Sequence, residues 1–201
     1  ATFDKGPLAP RQATGLMLYG TLALIRLRWP ASAPDLRRRV QPRLLEPLGK
    51  RIAQRIKDCN VIVVYASTKN AAAAYYFKTQ LNETAKALAF AHALPEANHN
   101  ELVAFEPKPK HVAALMVTDL ADPAEDRVIM AITADLLRRS GTRTLTIPLR
   151  GKTPLEKTMN AFVLAQWIGA HLARARGLDP METNIITTLK SAMARRLRAN
   201  Y

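Results

Sequence analysis

Short apolar runs that alternate with longer stretches of helical spacing constrain this chain more than any other feature of its sequence. Val61-Ile62-Val63-Val64 is a run of β-branched residues that reads as a buried strand over 60–65, and His111 to Val117 is a second apolar strand. A short strand is expected at 87–90 and another at 144–149. Between them, helices are expected at 69–85, 124–139 and 154–176, the last closed by Gly177, with a final basic helix at 183–200. Residues 91–106 read as irregular, with one or two helical turns between Pro95 and Phe105. Strands and helices in this order make βαβ units. The expected fold is a three-layer α/β/α domain around a mainly parallel sheet, preceded by a helical segment and closed by a C-terminal helix.

The first 60 residues prepare that domain rather than belong to it. A mostly buried helix is expected from 12 to 27, and a second helical pattern from Pro34 to Ile56, irregular in its first half because of Pro42 and Pro47. The apolar stretch Leu16–Ile25 is about half the ~20 residues a membrane span needs. Arg26 and Arg28 behind it, and Pro34 after Ala31-Ser32-Ala33, are wrong for a signal peptide. The second helix is crowded with Arg37, Arg38, Arg39, Arg43, Lys50, Arg51, Arg55 and Lys57. With 30 Lys and Arg against 16 Asp and Glu, the formal net charge is +14, which favours anionic partners: nucleic acid, an anionic surface or a phosphorylated small molecule. A single cysteine, Cys59, excludes an internal disulfide framework and a Cys-rich zinc module.

Ligands of open parallel sheets bind beyond the carboxyl ends of the strands. Ser67 and Thr68 lie at such an end, where they can form an anion cradle at a helix N-terminus or serve only as a helix cap. No Gly-rich dinucleotide fingerprint, Walker loop or Gly-x-Ser-x-Gly elbow is present. His92, Glu96 and His99 have a spacing that can meet a metal but no fixed scaffold to hold one. His92, His111 and His171 are read as structural or surface residues. From spacing alone, Glu83 is a surface residue, His99 a loop histidine, Lys190 a solvated helix residue, Arg11 a loop cation and Thr183 a helix cap.

Five segments together change that reading. Lys78–Lys86 with Glu83, followed by Leu94–Leu102 with His99, resembles the bifunctional phosphoglucose/phosphomannose isomerases of the sugar isomerase (SIS) superfamily. Pro7–Arg11, Thr153–Glu156 and Met181–Lys190 agree with the same family, in the same order. Glu83 and His99 stand sixteen residues apart and Thr183 and Lys190 seven apart, as they do there. The resemblance implies aldose–ketose isomerisation of hexose 6-phosphates, glucose or mannose 6-phosphate with fructose 6-phosphate. The route is a metal-free cis-enediol proton transfer without cofactor, in the cytoplasm. In this scheme Glu83 is the base, and His99 opens the sugar ring from a partner subunit of a homodimer. Lys190 joins it at the ring or leaving oxygens, Arg11 faces the enediolate, and Thr183 leaves room at C2. The residue types suit this chemistry. An anionic enediolate is stabilised by cations aimed at its oxygens, and an imidazole can give or take a proton near neutral pH.

The same resemblance divides the chain into residues 1–58, a helical exit from a missing or reduced first SIS domain, and residues 59–201, a second SIS domain. A chain so truncated is expected to turn over slowly on its own. The alternative reading is a non-catalytic SIS-type module that binds a sugar phosphate, or that meets nucleic acid through its basic face. No helix-turn-helix or aromatic-studded basic strand supports the nucleic-acid version.

Overall fold

Val61–Ser67 is the central strand, β1, and its side chains point alternately into two cores. The computed structural model describes residues 40–199; the expected helix at 12–27, Arg37–Arg39 and Arg11 lie outside the described residues. Helix α1 (Pro42–Ile56) precedes β1, and α2 (Ala71–Glu83) follows it after a 3-10 turn at Thr68–Asn70. Then come β2 (Leu88–Leu94), 3-10 turns at Glu96–His99 and Leu102–Phe105, β3 (Val112–Thr118), α3 (Ala124–Arg139), β4 (Arg143–Pro148), α4 (Pro154–Ala175) and α5 (Asn184–Ala199). The sheet order is β2-β1-β3-β4, every pair parallel, with Val61 opposite Leu88 on one side and Val112 on the other.

One face of the sheet packs Ile62, Val64 and Leu115 against Phe77 and Leu81 of α2 and Leu164, Ile168 and Leu172 of α4, with Ile52 and Ile56 of α1 in the same cluster. The other face packs Val63, Tyr65, Ala114 and Met116 against Met130, Ala134 and Leu137 of α3, with Phe105 closing the side near β2. The fold is thus the expected three-layer α/β/α.

Two local readings need correction. Over 42–56 the second helix is regular: Pro42 sits at its start, where no N–H bond is required, and Pro47 lies within it. The buried stripe Leu45, Gly49, Ile52, Ala53, Ile56 holds it against the body, while Lys50, Arg51 and Arg55 face solvent. Second, β2 runs on to Leu94 instead of stopping at 90. Its alternation is weak as a sequence signal because one face carries only alanines, Ala89, Ala91 and Ala93. The other presents Leu88, Phe90 and His92, all exposed.

Thr153 caps α4 by accepting the Glu156 amide at 3.2 Å, and the Glu156 carboxylate reaches back to the Lys152 amide at 2.8 Å. This reciprocal arrangement satisfies two amides at the start of the helix. Gly177, at φ +68°, turns the chain away at its end.

Candidate active site

At the carboxyl ends of β1 and β3, the turn read as an anion cradle or a helix cap makes no side-chain cap bond through Ser67, and carboxylates that follow β3 lie against it. The Ser67 side chain is fully buried, and its hydroxyl accepts the Asn70 amide at 3.2 Å. The Thr68 hydroxyl donates to the Leu94 carbonyl at 3.3 Å. Asn70 also donates to Asp122 at 2.9 Å, and Lys69 lies 3.8 Å from the same carboxylate. Beside them Asp119, just past β3, takes the Lys157 ammonium at 2.5 Å and the Ala121 amide at 2.9 Å. Burial alone raises the Asp119 carboxyl, but Lys157, the Ala121 amide and Lys69 outweigh it and hold the group below its ordinary range. An open cleft of about 380 Å³ between α3 and β4 adjoins Asp119 and Asp122 and includes Arg127 and Arg138; Glu83, His99, Thr183 and Lys190 do not line it.

Sequence reasoning missed this ion-paired end. The signal that could have found it is an aspartate directly after a buried strand, with a lysine in the first turn of the helix that follows the neighbouring strand, β4.

Glu83 belongs to the opposite end. Helix α2 runs back from the carboxyl end of β1, so its last residue, Glu83, sits near the amino end of β2 and is exposed. The segment that leads to α5 returns to this same end. Lys86 Nζ donates to the Asp179 carbonyl at 2.5 Å, across 93 residues of sequence. Thr183 follows four residues later, half-buried. Its carbonyl accepts the amides of Ile186 and Thr187 at 3.0 and 3.2 Å, which opens α5. Lys190 lies on α5, exposed, two helical turns further and on the same face as Thr183.

His99 lies in the 3-10 turn that follows β2, exposed, at the carboxyl end of the sheet. Within one chain Glu83 and His99 are therefore separated by the length of β2, seven residues or roughly 20 Å. The turn is anchored to α3 by Asn98, which exchanges hydrogen bonds with Thr133 at 2.9 and 3.2 Å. It is also flanked by a network that the sequence did not reveal. The Tyr65 hydroxyl donates to Glu101 at 2.8 Å, and His92 Nδ1 lies 3.0 Å from the other oxygen of that carboxylate. Burial, then the bond to Glu101, pushes the Tyr65 phenol far above its usual range. Among the described residues no three His, Cys, Asp or Glu side chains gather as a metal site, and no helix is long and apolar enough to cross a membrane.

The family model of the bacterial phospho-glucose isomerase C-terminal SIS domain matches residues 46–193. The bifunctional phosphoglucose/phosphomannose isomerase of Aquifex aeolicus is 30% identical over 189 residues, 92% of this chain and 58% of that protein. The corresponding protein of Thermoplasma acidophilum is 30% identical over 133 residues, 66% of this chain and 42% of that protein. The chain spans about half the length of the curated relatives it matches. Among solved structures, a hypothetical protein from Thermus thermophilus superposes with a TM-score of 0.63 at 14% identity, over 76% of this chain and 50% of the other. A glucose-6-phosphate isomerase like protein from the same organism gives 0.54 at 18% identity, over 67% and 45%. At such identities these two establish the fold alone.

Proposed function

Because the chain belongs to the family of bacterial phospho-glucose isomerase C-terminal SIS domains, we propose that it supplies the catalytic half of an aldose–ketose isomerase acting on hexose 6-phosphates. Glucose 6-phosphate and mannose 6-phosphate interconvert with fructose 6-phosphate in this reading, as the names of its curated relatives suggest. Glu83 takes the proton from C2 of the open-chain aldose, leaving a cis-enediolate, and returns it to C1 while a proton passes between O1 and O2. The enediolate carries charge that the ground state lacks, so Lys190 and Arg11 aimed at its oxygens favour the transition state over the substrate. Thr183, on the same helix face as Lys190, borders C2 and admits either epimer. Ser67 and Thr68 belong to the framework, since their hydroxyls are used within the fold.

The observation that carries this reading is the bond from Lys86 to the Asp179 carbonyl, which ties the approach to Thr183 and Lys190 to the end of α2 that bears Glu83. His99 completes the site from a second copy. A two-fold axis through the middle of β2, near Ala91, sets the carboxyl end of one strand beside the amino end of the other, and so brings His99 of one chain towards Glu83 of the next. The exposed Leu88 and Phe90 lie on that strand.

The test is Glu83→Gln in the natural full-length protein. Exchange of the C2 hydrogen with solvent is expected to fall by about three orders of magnitude with the melting temperature unchanged. Exchange near the parental rate removes Glu83 from the mechanism.

A further inference from the structure

Helix α3 is amphipathic twice over. Its inner face buries Met130, Thr133, Ala134 and Leu137. On the outer face, directly opposite, Val128, Ile132 and Leu136 form a stripe that is 55%, 55% and 45% exposed. Glu125 and Arg139 continue the stripe at its two ends, both exposed, and neither has an ion-pair partner among the described residues. The neighbouring Arg138, in contrast, is engaged by Asp135 at 2.6 Å and Thr146 at 3.3 Å.

The five positions are symmetric about Ile132. Val128 and Leu136 lie four residues to either side, Glu125 and Arg139 seven. An antiparallel copy of the same helix, related by a two-fold axis at Ile132, sets Ile132 on Ile132, Val128 on Leu136, and Glu125 on Arg139 at both ends. The 4-and-7 spacing is that of a helix–helix seam. Acid at the start of a helix and base at its end are also favoured by the macrodipole, but that does not account for three large apolar side chains facing water between them.

Helix α5 makes the contrast. Its stripe of Ile185, Leu189, Met193 and Leu197 is at least as exposed, but its charges are Lys190, Arg195, Arg196 and Arg198, with no acid within the helix to answer them. Self-pairing there brings like charges together.

We propose that the outer face of α3 is an isologous interface, and that its partner is a second copy of this chain. The contact stands apart from the pairing through β2 and does not depend on the isomerase reading. A single helix pair is small beside a standard interface of about 1,600 Å², so the association is reversible and is read at micromolar concentration.

The test uses the full chain with cysteine introduced on the proposed axis. Ile132→Cys is expected to form a disulfide-linked dimer under mild oxidation. The native Cys59 is buried, and Tyr75→Cys, exposed on α2 across the sheet, measures random collision. Cross-linking of Ile132→Cys no faster than that of Tyr75→Cys overturns the proposal. Glu125→Arg and Arg139→Glu each are expected to weaken self-association about tenfold, and the double variant to restore it, because each new charge again meets its opposite across the axis. A double variant no tighter than either single overturns it as well. Melting curves of all variants confirm that each remains folded.

Discussion

Lys157 Nζ rests 2.5 Å from Asp119 Oδ1, with the two side chains 16% and 4% exposed, and this pair stands at the end of the sheet where a parallel fold ordinarily receives its ligand, beside an open cleft of about 380 Å³. The Lys157 charge is matched within the fold. The chemistry proposed for Glu83, Thr183 and Lys190 lies at the opposite end, at the exit of α2 and the entry to α5.

Breaking the pair tests what it contributes to stability. Lys157→Met leaves a buried carboxylate without its main counter-charge, at a cost of about 3 kcal/mol at pH 7. Asp119 is held below its ordinary range in the folded chain. Its contribution is complete above the unfolded-state carboxylate value of about 3.9 and is lost as the pH falls through the lower folded-state value. Urea unfolding is therefore expected to show the full difference between parent and variant at pH 7 and a shrinking one as the pH falls below about 4. A difference independent of pH would mean that Lys157 acts through packing and not through charge.

The close approach of α1 to α4 gives a second prediction. A Cβ placed on Gly49 would lie 2.6 Å from the Trp167 Cβ and 3.2 Å from the Ile168 amide nitrogen. Trp167 is itself held, its indole N–H donating to the Pro42 carbonyl at 2.9 Å. Neither helix can yield without repacking. The better helix propensity of alanine offsets only about 1 kcal/mol of the overpacking cost, so Gly49→Ala is expected to lose roughly 2 kcal/mol net and to melt about 4–8 °C lower. A rise in melting temperature would show that α1 is free to move away from α4.

The architecture was legible because its strands are buried on both sides. Val61–Val64 and Val112–Val117 leave no polar face to confuse the period, and the Asp122-Pro123 and Thr153-Pro154 signals place the starts of α3 and α4 within a residue or two. What was hidden follows from the same physics. The outer half of β2 alternates alanine with large side chains, and alanine carries little strand signal. Glu101, His92 and Tyr65 meet only in three dimensions, from an irregular segment and two neighbouring strands. Glu83 and Lys190 were singled out by resemblance, because exposed charged residues on helices carry no periodicity that separates a reactive group from a solvated one. The return of the approach to α5 to the Glu83 end of the sheet depends on the turn at Gly177 and the Lys86–Asp179 bond, neither of which a local pattern reports.

The separation of Glu83 and His99 along β2 makes the shared site testable without a structure of the assembly. If each site takes Glu83 from one chain and His99 from another, Glu83→Gln and His99→Ala are both inactive alone, yet a hybrid of the two holds one site with both residues intact. After mixing and exchange of subunits in the natural full-length protein, half of the dimers are hybrids with one intact site of two. Activity is then expected to return to about one quarter of the parental value. The recovery should be absent when the variants are mixed without subunit exchange, and absent when both substitutions are placed in the same chain. Mixed variants that stay inactive after exchange would place both residues in a site within one chain. The roughly 20 Å between them would then have to be closed by a movement of the turn after β2, against its anchor between Asn98 and Thr133.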